Sequence, residues 1–261
     1  MTLEFAGGSL RLDLGPIARL TLDRPKKHNA MTAAMWAALP AIFDLLISER
    51  TRVLIIRGSQ NRAFCAGADI SEFEAVFGTP AATVAYNSDV RDAQARLRDL
   101  PCPTIAAVGG VCFGGGCGLA LACDFRVAGL DALFAITPAR LGLAYSPDDT
   151  WQLIEKVGIS CAKDMLLTGR TVEAQEALRI GLINLLENNI ESASTALAQH
   201  LLGLAPDALR TIKSICNALS DPIYKPELQN SFEDTFASAE FHEGYHAFLE
   251  KRTPNFLGEG K

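Results

Sequence analysis

Between residues 62 and 73 the chain reads RAFCAGADISEF, and the small side chains there suit chemistry done by the main chain. Ala66, Gly67 and Ala68 leave bare backbone just after a hydrophobic strand, with Asp69 following at once. A second such place is Gly114, Gly115 and Gly116 in GGVCFGGGCGLALACDFRVAG, where the glycines precede an apolar helix-like segment. Glycines in that position form a tight turn whose exposed N–H groups lie at a helix N-terminus. Two strand ends that each open into small residues and a helix can bring two main-chain N–H groups together around one oxygen. Such a pair is what an oxyanion hole requires: donors already fixed where negative charge develops on a carbonyl, worth roughly 3–4 kcal/mol for a single donor. Side chains larger than alanine would crowd that oxygen, so a carbonyl is expected to approach the backbone at Ala68. Taken alone, the glycine run has a second reading, a loop of structural importance only. It is not a phosphate loop, because no GK[ST] follows and the spacing does not give GxGxxG before a helix.

The elements that must position these residues are legible as alternating strands and helices. SLRLDLG and IARLTLD alternate apolar and polar residues and predict a strand pair turning at Gly15 and Pro16. Met35, Leu39, Ile42 and Leu46 recur at helical spacing after Thr32, a suitable N-cap, and Pro40 is expected to kink that helix. VLIIRG (53–58) and TIAAVGG (104–110) are continuous apolar runs ending in glycine, as buried strands would be, with a helix near 82–99 between them.

With 261 residues, 49% hydrophobic and 21% charged, the chain fits one large domain with a smaller appendage. No apolar stretch reaches the 18 or so residues that a membrane span requires, and MTLEFAGGSLRLDL has neither a basic start nor an apolar signal core, so a cytoplasmic protein is expected. Seven cysteines at irregular spacing fit a reducing compartment rather than a disulfide framework. Cys112, Cys117 and Cys123 lack CxxC spacing and a nearby histidine, which favours small buried packing over a metal site. A net charge of -6 discourages general affinity for nucleic acid or an anionic membrane.

Four segments in register, FCAGADI, GGVCFGGGCGLALACDFRVA, LTGRTVEAQEALRIGLIN and AFLEKRTPNF, resemble the enoyl-CoA hydratase/isomerase, or crotonase, family over nearly the whole chain. The resemblance implies an α/β fold of repeated β-β-α units wound into a spiral over residues 1–200, with a C-terminal helical region, 201–261, that mediates trimer formation and often a dimer of trimers. It implies an acyl-CoA thioester substrate of the kind met in fatty acid metabolism, with coenzyme A carried as part of the substrate and no permanently bound cofactor. The thioester oxygen would be held by the N–H groups of Ala68 and Gly115, stabilising an enolate-like intermediate. By motif position Ala66 and the stretch Asp69, Ile70 and Ser71 would line the CoA arm and acyl pocket, although Asp69 reads equally as an N-cap of the next helix. His28, in RPKKHNAM, has a counterpart near the CoA arm, or is a packed or solvated histidine. Phe248 and Lys251 would reach CoA on a neighbouring subunit, or are a core aromatic and a solvated lysine. Apolar faces beyond about residue 205, such as Leu228, Phe232 and Phe236, are expected to pack between subunits.

The chain departs from the family where its two glutamates stand. The family patterns GGGxE and PE fall on Gly118 and Pro138, and a one-residue gap would put Ala139 at the second. Neither glycine nor proline can activate water or protonate an α-carbon, so ordinary two-glutamate hydration is not expected. The segment LGLAYSPDDTWQL falls on the family's active-site loop and offers Tyr145, Asp148 and Asp149 instead. Either aspartate is a candidate acid or base, with no preference between them, or one caps a helix beginning near Thr150. Two classes of function follow: a lyase or isomerase acting on an acyl-CoA thioester, and a CoA-ester-binding protein with little or no turnover.

Overall fold

The computed structural model describes residues 1–219 and 233–255. The chain opens with three antiparallel strands, β1 (Thr2–Phe5), β2 (Leu10–Asp13) and β3 (Ile17–Leu22). Residues 14–16 form the expected turn, with Leu10 facing Leu22 in the register. Helix α1 (Ala33–Ser48) starts where Thr32 Oγ1 accepts from the Met35 N–H at 3.1 Å. It runs on through Pro40, which removes only the bond to the Trp36 carbonyl. Its buried face, Met35, Trp36, Leu39, Ile42, Phe43 and Leu46, holds it in place.

A β-β-α unit then repeats. Strand β4 (Val53–Gly58) leads to β5 (Ala63–Cys65) and the helices α2 (Phe73–Phe77) and α3 (Pro80–Arg98). Next come β6 (Thr104–Val108), β7 (Val111–Phe113) and α4 (Gly115–Leu121), then β8 (Phe125–Gly129), β9 (Leu133–Ala135) and α5 (Pro147–Thr168), interrupted at Gly158. The first strand of each unit joins one sheet in parallel, in the order β4-β6-β8, and the second joins another in the order β9-β7-β5. That winding is the spiral of β-β-α units that the resemblance implies. Strand β10 (Val172–Glu173) and helix α6 (Ala174–Arg179) extend the small sheet, and β11 (Leu185–Glu187) closes the far edge of the large one.

The large sheet is covered on both faces, which is why its strands read as unbroken apolar runs. Leu54, Ile56 and Ala106 face the main core with Trp36 and Phe64, while Val53, Ile55, Ile105 and Ala107 face Ala198 and Leu201 of helix α7 (Ile190–Leu202). Helix α8 (Pro206–Leu219) follows, and α9 (Ala239–Leu249) returns to the body. Phe236 and Phe241 are buried against Phe73 and Phe77 of the same chain, with the Phe236 and Phe77 ring centroids 4.5 Å apart. Phe236 thus has its cover within its own chain, whereas Leu228 and Phe232 lie outside the described residues. Among the described residues no helix is long and apolar enough to cross a membrane.

Candidate active site

The backbone at Ala68 is fixed from one side. The Met31 N–H donates to the Gly67 carbonyl and the Asp69 N–H to the Met31 carbonyl, both at 2.8 Å, and this parallel bridge turns the Ala68 N–H away from Met31. Gly67 makes the turn at φ 102°, and a Cβ there would stand 3.1 Å from the Phe113 carbonyl oxygen. Across from it Gly114, at φ 49° and ψ -117°, turns the chain from β7 into α4, so that Gly115 is the first helical residue. A Cβ placed on Gly115 would lie 3.9 Å from the Ala68 nitrogen and 3.5 Å from Trp36 Cζ2. The first N–H of a helix has no intrahelical partner. Among the described residues neither the Ala68 nor the Gly115 N–H meets an acceptor.

Both open into a cleft of about 1010 Å³, counting its mouth, walled by Phe73, Phe77, Tyr86, Val90, Leu141, Leu143 and Phe236. The Tyr145 hydroxyl donates to the Gly114 carbonyl at 3.1 Å, so this side chain buttresses the glycine turn. Burial, and after it the neighbouring Asp149 carboxyl, pushes the Tyr145 phenol well above its ordinary value. Ser146, not an aspartate, caps α5: its Oγ accepts from the Asp149 N–H at 3.0 Å and donates to Asp149 Oδ2 at 2.8 Å. The helix begins at Pro147, which places Asp148 and Asp149 in its first turn.

The two aspartates part company there. Asp149 is 4% exposed, and its Oδ1 has no hydrogen-bond partner among the described residues. Burial lifts its carboxyl to about 7, helped by the charge of Asp148 and opposed by Ser146 and the Gln94 amide. Gln94 Nε2 lies outside hydrogen-bonding geometry but near enough to favour the charged form. Asp148 is half-buried and lines the same cleft. Gly118 and Pro138 are also at hand, Pro138 in the cleft wall and Gly118 under Asp149, where a Cβ would come within 2.4 Å of Asp149 Oδ1.

The cleft therefore gathers Ala66, Ala68, Ile70, Gly115, Tyr145, Asp148 and Asp149. Asp69, Ser71, His28, Phe248 and Lys251 stand outside it. Asp69 caps the turn at Ile70–Glu72, taking the Ser71 N–H at 3.1 Å and the Ser71 hydroxyl at 2.6 Å, and pairs with Arg24 at 2.7 Å. Burial works to raise its carboxyl, but the Ser71 bonds and the Arg24 guanidinium together hold it below the usual value. His28 is exposed, and what it gives the site is a carbonyl that accepts the Ala66 N–H at 3.0 Å. Phe248 is 53% exposed and Lys251 lies just beyond the end of α9, also exposed. Sequence reasoning missed Asn87 and Gln94, whose buried amides line the cleft from α3. The signal available was their spacing of seven on a helix otherwise recognised, which puts both on one face.

The cysteines nearby are packing groups. Cys65, Cys112, Cys117 and Cys123 are buried, and burial lifts the Cys65 and Cys123 thiols to about 12. The Cys117 thiol donates to the Cys112 carbonyl at 2.8 Å. Among the described residues no group of His, Cys, Asp or Glu is placed to hold a metal ion.

The sequence model of the family described as Enoyl-CoA hydratase/isomerase matches residues 15–259. The chain is 33% identical over 268 residues to an enoyl-CoA isomerase/hydratase of Penicillium crustosum, covering 94% of this chain but only 29% of that longer protein. It is 33% identical over 253 residues to the mitochondrial enoyl-CoA hydratase domain-containing protein 2 of Bos taurus, covering 93% of this chain and 85% of that one. A crystal structure of an enoyl-CoA hydratase/isomerase family protein from Hyphomonas neptunium superposes with a TM-score of 0.79 at 37% identity, over 95% of this chain and 97% of the other.

Proposed function

Since this chain belongs to the enoyl-CoA hydratase/isomerase family, we propose that it is a lyase or isomerase acting on an acyl-CoA thioester, with the thioester oxygen held by the Ala68 and Gly115 N–H groups. The observation that carries this reading is the pairing of those two unclaimed amides at the head of an apolar cleft. As the α-carbon loses or gains a proton, or the β-carbon is attacked, charge moves onto the thioester oxygen. Two N–H donors already in place lower the energy of that enolate-like state without reorganisation. The acyl chain lies among Phe73, Phe77 and Phe236, and the CoA arm leaves past Ala66 and Ile70. Asp149 moves the proton. Its buried, half-unpaired carboxyl titrates near neutral pH, where a group serves as base and acid in turn.

A second reading, a CoA-ester-binding protein with little turnover, is favoured by one observation: neither Gly118 nor Pro138 supplies an acid. One experiment separates the two. Purified protein is incubated with crotonyl-CoA and with 3-enoyl-CoA and dienoyl-CoA esters, and absorbance is followed. Turnover of any of them supports the enzyme, and tight binding of all with none turned over supports the binder.

A homotrimer or a dimer of trimers is part of the proposal. Ile212, Ile215 and Leu219 are more than half exposed and recur at helical spacing on the outer face of α8, while Leu209, Lys213 and Asn217 turn inward. The exposure of Phe248 and Lys251 at the end of α9 supports a contact between them and CoA on a neighbouring subunit as part of the same proposal. The bovine relative is named as mitochondrial, which gives no support to a cytoplasmic placement, and a reducing compartment of either kind suits seven free cysteines.

A further inference from the structure

The Gly115 N–H shares a peptide unit with the Gly114 carbonyl, and in a trans peptide the two point in opposite directions. That carbonyl accepts twice, from the Tyr145 hydroxyl at 3.1 Å and from the Gly118 N–H at 3.2 Å, which engages both of its lone pairs. The Ala68 N–H is backed in the same way. The Gly67 carbonyl of its peptide accepts from the Met31 N–H at 2.8 Å and, weakly, from the Cys65 thiol at 3.7 Å. The two peptides differ in how firmly they are held. The one before Ala68 is pinned by the parallel bridge to Met31, whereas the other lies between two glycines, and a Cβ on Gly114 would meet nothing within 4 Å. Glycine on both sides lets a peptide flip at little steric cost, and a flip here would turn a carbonyl toward the thioester oxygen.

Resting on the acyl-CoA reading above, we infer that Tyr145 is a positioning residue: its hydroxyl locks the Gly114–Gly115 peptide with the N–H toward the thioester oxygen and polarises that N–H from behind. A hydrogen bond accepted at a peptide carbonyl draws electrons from its nitrogen, and bonds chained in this way strengthen by about 10–30% each. The gain grows as charge collects on the thioester oxygen, so it favours the enolate-like state over the ground state. Acid-base chemistry is not the role of this residue, because its hydroxyl proton is engaged by Gly114. Burial, and after it the Asp149 carboxyl, keeps the phenol protonated through the neutral range, so the donor persists there.

The stretching frequency of the bound thioester carbonyl reads this polarisation. Butyryl-CoA, isotope-labelled at that carbonyl, is bound to the wild type and to Tyr145→Phe, which keeps the ring and removes the hydroxyl, and difference infrared spectra are recorded. The wild type is expected to lower the frequency relative to the ligand in water, and Tyr145→Phe to give back about a tenth to a third of that lowering. Turnover should fall about two- to eightfold, that same fraction, on a logarithmic scale, of what one oxyanion donor supplies, while butyryl-CoA affinity stays within about twofold. A tyrosine that merely braces the turn would, once replaced, lower the urea midpoint and the affinity but leave the frequency of the bound ligand where it was, and that result overturns the inference. If Tyr145→Phe does not fold, a ring-fluorinated tyrosine at 145, a stronger donor of nearly the same shape, decides: the frequency should drop further, and no change overturns the inference. A wild type that binds butyryl-CoA without lowering its carbonyl frequency removes the Ala68 and Gly115 hole itself, and one that binds none removes the acyl-CoA reading. The role of Tyr145 falls with either.

Discussion

The Ala68 nitrogen lies 3.9 Å from the point that a Cβ on Gly115 would occupy, so the space beside one proposed donor is also the space a side chain on the other would enter. That Cβ would otherwise meet only Trp36 Cζ2 at 3.5 Å, an ordinary contact. Gly115→Ala should therefore fold, and gain roughly 0.5–1 kcal/mol because alanine suits a helix better than glycine. The same methyl crowds the thioester oxygen. We expect the urea midpoint to rise while acyl-CoA affinity falls at least tenfold. Unchanged affinity would move the oxygen site elsewhere.

Asp149 and Asp148 are adjacent, but only Asp149 is buried with an unpaired oxygen. Asp149→Asn should reduce turnover roughly 100-fold or more, the usual scale of general acid-base effects, and Asp148→Asn only a few-fold. Since Asp149 titrates at about 7 and the carboxylate takes the first proton, wild-type kcat/KM should climb as pH rises through that value. A limb unchanged in Asp149→Asn would assign it to another group.

The same shift has a consequence for stability. The Asp149 carboxyl has a folded value near 7, above its unfolded value of about 3.9, so the folded chain binds this proton more tightly. Its contribution is complete below pH about 4, declines as pH rises toward 7 by at most about 1.4 kcal/mol per pH unit, and is level above that. Between pH 5 and 8 the wild type should lose more stability to urea than Asp149→Asn does. Parallel curves for the two proteins would refute the burial of an ionisable group there.

Much of this was written in local sequence. The strands at 53–58 and 104–108 show as apolar runs because both faces of the large sheet are covered, and the turn at Gly114 shows because the backbone there takes φ 49°. What local sequence could not carry was which groups meet. Ser146 caps α5 although two aspartates follow it, because the chain turns helical at Pro147 rather than near Thr150. Glycine at 118 reads as a lost acid, while its spatial meaning, room for Asp149 and Gln94, depends on residues 31 and 24 positions away. Phe236 reads as an unpaired apolar side chain until α2 and α9 are folded around it.

The outer stripe of α8 should set the assembly. Ultracentrifugation is expected to show a trimer or hexamer, and Ile215→Lys, which puts a charge in the middle of that stripe, should shift the distribution toward monomer. A wild type that remains monomeric at micromolar concentration would count against any role of this face between subunits.

Gly118 offers the sharpest test of the cleft floor. A methyl there would fall within 2.4 Å of two side-chain ends, and they differ in freedom: Gln94 can swing, but Asp149 is tied through Oδ2 to the Ser146 hydroxyl at 2.8 Å. Gly118→Ala should thus cost about 1–3 kcal/mol as an overpacked site and displace the Asp149 carboxyl from its place in the cleft. Turnover should fall more than acyl-CoA affinity. Gly118→Glu restores the acid of the two-glutamate pattern in name only, since its side chain must push aside both Asp149 and Gln94 and enter a buried site as a charge. We expect it to be less stable than Gly118→Ala and no more active than the wild type. A Gly118→Glu protein with raised hydration of crotonyl-CoA would mean that Asp149 is not the group that moves the proton.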